Sequence, residues 1–198
     1  MSTKVKVYVS TEDNKLHVFA PFLQKFVVEA KKFGGIWSRT SKEWIFDTRD
    51  EEYIKKACFD LFGSDGSSSK LVDIKITFLK GVLNYQDAVY ICNRQIAYAT
   101  GRDSGAKIGE GVKLLTGEID SGGSTKNWFT TIEKDTVLIM RDVYEAAVEK
   151  ELVKIDEAEV KRIKIELISE HVDVDALKDE KEKLLKRLQE IDETLSKV

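Results

Sequence analysis

Two Gly-rich stretches hold the residue types best suited to chemistry. Thr100-Gly-Arg-Asp-Ser-Gly-Ala-Lys-Ile-Gly-Glu-Gly111 carries Arg102, Ser104 and Lys107. Asp120-Ser-Gly-Gly-Ser-Thr-Lys-Asn127 carries Ser121, Ser124, Lys126 and Asn127, and Trp128 follows at once. Glycines let successive backbone N–H groups converge, and hydroxyls and a cation add donors, a combination that suits a phosphate. Neither stretch is a P-loop, which needs Gly-Lys followed by Ser or Thr and then a helix. Gly109-Glu-Gly-Val112 is no dinucleotide fingerprint either. The opposing reading is two plain connections between strands. Connections this long are uncommon unless they bind something or move. Arg102, Ser104, Lys107, Ser121, Ser124, Lys126, Asn127 and Trp128 are therefore the expected ligand-binding residues.

The pattern for catalysis is absent. His17 lies in an alternating apolar stretch and His171 in an acidic region, far apart in sequence. No Cys-x-x-Cys, His-Glu-x-x-His or Gly-x-Ser-x-Gly occurs. Asp103 and Ser104 pair an acid with a hydroxyl, but no histidine is near them. Cys58 and Cys92 sit among apolar residues, as free thiols in a reducing cytosol do. No catalytic residue, metal site or cofactor is expected, and the chain reads as a binding protein rather than an enzyme.

Three tryptophans supply stacking surface. Trp37 and Trp44 flank a polar turn, with Arg39 and Lys42 inside it. Ile36-Trp37 and Trp44-Ile45-Phe46 favour extended backbone, so this stretch reads as a β-hairpin with both rings in its core. Arg39 and Lys42 are the cations placed to meet a nucleic-acid backbone. Trp128 follows the second Gly-rich stretch beside Lys126. It reads equally as core or as a base-stacking platform.

Around that hairpin lies an apolar-faced helix, then Gly34-Gly-Ile-Trp37, a short polar turn, Lys42-Glu-Trp-Ile-Phe46 and a second helix. This order resembles a HARP-type module, the small α+β unit of annealing helicases related to the bacterial helicase HepA. Similar Trp hairpins occur in uncharacterised phage and plasmid proteins. The resemblance covers residues 22–62, about a fifth of the chain. It implies contact with branched DNA and an origin in a phage or mobile element. No motor motif accompanies it.

The elements that must position these residues follow from local pattern. Val5-Lys-Val-Tyr-Val9 and Lys15-Leu-His-Val-Phe19 alternate as two strands of a hairpin. Pro21 marks a helix start, and Phe22, Phe26, Ala30 and Phe33 recur at helical spacing as its buried face. A second helix, capped by Asp47 or Thr48, follows the Trp hairpin. Residues 1–62 thus form a β-β-α-β-β-α domain. Gly63-Ser-Asp-Gly-Ser-Ser-Ser69 favours turns and buries little, so residues 63–70 read as a linker. Residues 71–170 carry repeated alternating stretches and read as a mainly antiparallel β domain, with a helix over residues 144–152 and a short strand over 160–169. Val174, Leu177, Leu184, Leu188, Ile191, Leu195 and Val198 fit heptad a and d positions. Residues 171–198 therefore form a C-terminal helix, either packed on its own domain or joining copies as a coiled coil.

Composition sets the limits. The chain has 198 residues, 42% of them hydrophobic, which supports a core and excludes wholesale disorder. No apolar run is long enough to span a membrane, and the N-terminus lacks the apolar centre of a signal peptide, so a cytoplasmic protein with no membrane partner is expected. Net charge is −3, spread as +2 over residues 1–62, zero over 63–143 and −5 over 144–198. No basic stripe covers the chain, so any nucleic-acid contact is local. The fold class is α+β. The function expected is a non-catalytic, self-associating binding protein that recognises a phosphate-bearing ligand, nucleic acid first. Copies would join as a homo-oligomer through residues 174–198. The alternative is a counter-defence protein that sequesters a nucleotide signal or blocks a host protein by contact.

Overall fold

β-Branched and aromatic residues alternating with polar ones make the first two strands. In the computed structural model, which describes residues 5–10, 13–67 and 69–170, these are β1 (Lys6–Val9) and β2 (Leu16–Phe19), paired antiparallel. Leu16 and Val18 are fully buried on one face, and His17 lies on the other. α1 (Gln24–Lys32) buries Phe26 and Ala30. It begins three residues after Pro21, so Phe22 precedes the first turn. That corrects the stripe expected from sequence: Phe22 is 68% exposed. Gly34, at φ +66°, ends the helix, and the Gly35 N–H donates to Ala30 O at 2.8 Å.

The Trp hairpin follows as β3 (Ile36–Ser38) and β4 (Glu43–Phe46), with Trp37 opposite Trp44. The four strands order as β1-β2-β4-β3. Asp47 caps a 3₁₀ turn over Thr48–Asp50, its carboxylate accepting from the Arg49 N–H at 3.0 Å. That turn leads into α2 (Glu51–Phe62), which buries Ile54, Cys58 and Phe62, Phe62 meeting Phe26 of α1.

The remaining chain is mixed in element but antiparallel in every sheet. β5 (Leu71–Phe78) alternates strictly, with Val72, Ile74, Ile76 and Phe78 inside. β6 (Val82–Tyr85), β7 (Val89–Ile91), β8 (Arg94–Tyr98), β9 (Lys107–Ile108), β10 (Val112–Thr116), β11 (Ile119–Gly123), β12 (Trp128–Ile132) and β13 (Val137–Tyr144) follow. α3 (Glu145–Glu157) and β14 (Ile163–Glu170) complete the described chain. The sheets order as β10-β13-β5-β14, β11-β12-β6 and β7-β8-β9. α3 runs five residues beyond the stretch expected to be helical, and the strand expected over residues 160–169 is β14. The expected heptad helix over residues 174–198 lies outside the described residues.

Ser64 and Gly66, within the stretch read as a linker, are packed. Ser64 is fully buried, and a Cβ on Gly66 would lie 2.7 Å from Val7 Cβ. One apolar cluster joins Leu16, Phe26 and Trp44 to Ile74, Leu138 and Val148. Hydrogen bonds cross the same join. The Val5 N–H donates to Tyr144 Oη at 2.9 Å, and Asn93 Nδ2 donates to Leu61 O at 2.9 Å. Lys150 Nζ donates to Phe59 O at 2.9 Å and sits 4.5 Å from that ring's centre. Among the described residues no helix is long and apolar enough to cross a membrane.

Candidate functional site

The two Gly-rich stretches do come together, through Ser121 Oγ donating to Arg102 O at 2.8 Å. They do not form a cradle. Half of the second stretch is strand: β11 pairs with β12, Gly123 standing opposite Trp128, and residues 124–127 turn. Gly122 leaves space there for the Phe129 ring, which meets Tyr85 edge to face at 5.8 Å. Several of their hydroxyl and backbone groups are already used. Ser104 Oγ accepts from the Thr100 and Gly101 N–H groups at 3.1 and 3.2 Å. Ser124 Oγ accepts from the Asn127 N–H at 3.1 Å, and the Ser124 N–H donates to Asn127 O at 3.2 Å. The Ser121 N–H donates to the Asp120 carboxylate at 2.7 Å. Arg102 is tied to its neighbour Asp103, Nε to Oδ2 at 2.8 Å. Lys107 lies in β9, Lys126 gives its carbonyl to Gln86 Nε2, and Trp128 is half-buried.

A different arrangement concentrates unsatisfied surface. An open cleft of about 1010 Å³ separates the Trp hairpin and the start of α1 from β8 and β9. Phe22, Phe26, Trp37 and Trp44 line one wall, and Tyr98 and Ile108 the other. The aromatic rings run from core to mouth. Phe62 meets Phe26 at 5.3 Å, Phe26 meets Trp44 edge-on at 6.5 Å, and Trp44 meets Trp37 at 5.5 Å. Trp44 is 8% exposed and belongs to the core, as expected. Trp37 is 42% exposed, which corrects its expected core role. Its strand β3 is the sheet edge, and Trp44 backs its ring. Ile36, 69% exposed, and Ile108, 40% exposed, add apolar surface.

Polar groups sit at chosen points of this cleft. Lys42, in the left-handed conformation at φ +57°, lines it and makes no ion pair among the described residues. Arg39 is exposed in the same turn. The Gln95 and Tyr98 side chains line the far wall and make no hydrogen bond among the described residues. Arg94 is structural. Its Nη1 donates to Arg141 O at 2.6 Å and Asp142 O at 3.0 Å, and its Nη2 donates to Glu110 O at 2.9 Å. Burial lowers its pKa. Sequence reasoning missed the far wall, because β8 and β9 carry no motif. Of the residues singled out in sequence, Trp37, Trp44 and Lys42 line this cleft, and Arg39 stands in the same turn as Lys42.

Neither cysteine is poised as a nucleophile. Burial pushes the Cys58 and Cys92 thiols up to about 12, so both stay protonated and inert. Among the described residues no group of three His, Cys, Asp or Glu side chains is placed to hold a metal. No protein-family model, no curated protein and no solved structure matches this chain.

Proposed function

We propose that this chain is a non-catalytic nucleic-acid-binding protein that stacks unpaired bases in the aromatic cleft. One observation carries the reading: Trp37 stands 42% exposed at the cleft, backed by Trp44, with Lys42, which makes no ion pair among the described residues, beside it. Aromatic faces with neighbouring cations are how single strands are held without a basic stripe over the whole molecule. Every base offers a π-face, and a half-exposed tryptophan anchored from behind presents one at little entropic cost. Lys42 and Arg39 meet the backbone. The Gln95 amide and the Tyr98 hydroxyl offer donors and acceptors to a base edge. The likeness of residues 22–62 to a HARP-type module supports the same ligand class. This reading moves the ligand away from Arg102 and Lys126.

Fluorescence titration with short single-stranded DNA and RNA tests it. Trp37→Ala should weaken binding roughly tenfold or more, since stacking on one aromatic is worth about 1–3 kcal/mol per base. Its unfolding midpoint should stay near the wild-type value. Lys42→Ala should flatten the slope of log affinity against log salt by about 0.7, the share of one neutralised phosphate on a single strand. Arg102→Ala with Lys126→Ala should change neither. Trp44→Ala serves as the core control and should cost about 3–5 kcal/mol of stability. Unchanged affinity in Trp37→Ala, or weakening only in the Arg102 and Lys126 variant, would return the site to the Gly-rich stretches. Tight binding of mononucleotides with shallow salt dependence would favour nucleotide sequestration instead.

A further inference from the structure

Among the described residues no strand covers one edge of β14, because β5 pairs only with the other. The backbone parity of that edge can be read off its neighbours. The Leu79 N–H donates to Arg162 O at 2.8 Å, so Arg162, and with it Lys164 and Glu166, turn their backbone groups toward β5. Phe78, opposite Ile163, turns its own groups the other way: its N–H donates to Thr136 O at 2.9 Å. Ile163, Ile165 and Leu167 therefore present their N–H and C=O groups at the open edge, where no described residue takes them up.

The side chains of this strand are sorted as well. Ile163, Ile165 and Leu167 lie on the face of the fully buried Phe78, Ile76 and Ile74, yet Leu167 is 60% exposed. Lys164 and Glu166 share the opposite face, 2.8 Å apart. Charge is polarised along the strand, with Lys161, Arg162 and Lys164 toward its start and Glu166 toward its end.

We propose that β14 pairs antiparallel with β14 of a second copy of this chain, about a twofold axis at Ile165. The two Ile165 residues then exchange hydrogen bonds, and Ile163 exchanges them with the partner's Leu167. Each outward N–H and C=O in this central stretch thus finds its complement. The same register sets Lys164 opposite the partner's Glu166 and covers the exposed Leu167 with the partner's Ile163. Other registers fail on the same grounds. An axis at Lys164 sets Lys164 against its own copy, an axis at Glu166 does the same with Glu166, and an axis between two residues turns the wrong backbone groups to the edge. An axis at Ile163 sets Lys164 against Arg162, and one at Leu167 meets the β-bulge between Leu167 and Ser169. Parallel pairing sets like charges on each other. An unpaired edge of this length otherwise invites uncontrolled association, and self-complementary pairing closes it. This pairing leaves the two β14 ends roughly 33 Å apart, ten residues at about 3.3 Å each. A parallel seam through the heptad pattern of residues 174–198 needs those ends side by side, so the two modes of association compete.

Sedimentation equilibrium on the full chain, over a concentration series into tens of micromolar, tests the proposal. The wild type should dimerise. Lys164→Glu and Glu166→Lys should each weaken the dimer about tenfold, since two attractive cross-strand pairs become two repulsive ones. The double exchange, Lys164→Glu with Glu166→Lys, should restore the wild-type constant to within about twofold. Leu184→Asp with Leu188→Asp should leave it unchanged. A monomeric wild type, an indifferent single reversal, a double exchange that fails to restore association, or a dimer abolished by the leucine changes would each overturn it.

Discussion

At the scale of single residues, His17 is held between two acids. Its Nδ1 lies 3.2 Å from Glu43 Oε2 and its Nε2 3.1 Å from Asp13 Oδ2. A neutral imidazole carries one proton, so one of these contacts would set a lone pair against a carboxylate, and only the imidazolium satisfies both. Tyr8 stacks on the ring at 5.3 Å, and its hydroxyl donates to Glu43 at 3.1 Å. Burial pulls the His17 pKa down, but the Glu43 and Asp13 carboxylates outweigh it and hold the pKa above its ordinary value. The sign follows. A raised folded pKa contributes stability that is complete below the unfolded value near 6.5 and fades as pH rises through the folded one. The stability gap between wild type and His17→Gln should therefore be widest near pH 6 and shrink toward pH 9. Thermal unfolding across that range measures it, and a gap that widens with pH would contradict the charged assignment. Glu43→Gln should lower the His17 titration midpoint seen by NMR.

At the scale of elements, two glycines of one stretch have opposite meanings. Gly109 ends β9 against β8, its N–H donating to Ile96 O at 2.9 Å. A Cβ there would strike the Gln95 carbonyl oxygen. Gly101, eight residues earlier, has open space around it. Gly109→Ala must push β9 off β8 at the wall of the aromatic cleft. We expect a loss of about 1–3 kcal/mol, a melting point lower by about 2–10 °C, and weaker oligonucleotide binding. Gly101→Ala should stay within about 0.5 kcal/mol of wild type. Differential scanning calorimetry on the two variants decides it. Equal effects would mean that the packing of β9 on β8 does not shape the cleft.

At the scale of the whole molecule, the join across residues 63–70 decides how the chain unfolds. The apolar cluster passes through it, and the Val5 N–H to Tyr144 bond ties the first strand to the end of β13. We expect one calorimetric transition, with matching calorimetric and van't Hoff enthalpies. Tyr144→Phe leaves the buried Val5 N–H without its partner and should cost about 1–3 kcal/mol, lowering the whole transition. Two resolved transitions, with only one moved by Tyr144→Phe, would show that residues 5–62 unfold by themselves.

Local physics made much of this legible from sequence. Strict alternation in residues 71–78 became β5, and the polar turn between Trp37 and Trp44 became the β3–β4 hairpin with the expected ends. These features depend on neighbours a few residues away. Position within a sheet does not. The residues around Trp37 and Trp44 look alike in sequence, yet the order β1-β2-β4-β3 buries one ring and bares the other by leaving β3 at the edge. The Gly-rich stretches look rich in open donors in sequence, but several of their hydroxyls and backbone donors satisfy one another once folded, Ser104 and Ser124 each closing a turn. The cleft was invisible for the same reason, since its walls come from residues 19–44 and 94–110. Sequence alone determines which backbone each segment prefers. The exposure of Trp37 and the edge of β14 that no described strand covers were decided by tertiary structure, because burial and pairing depend on which segments meet.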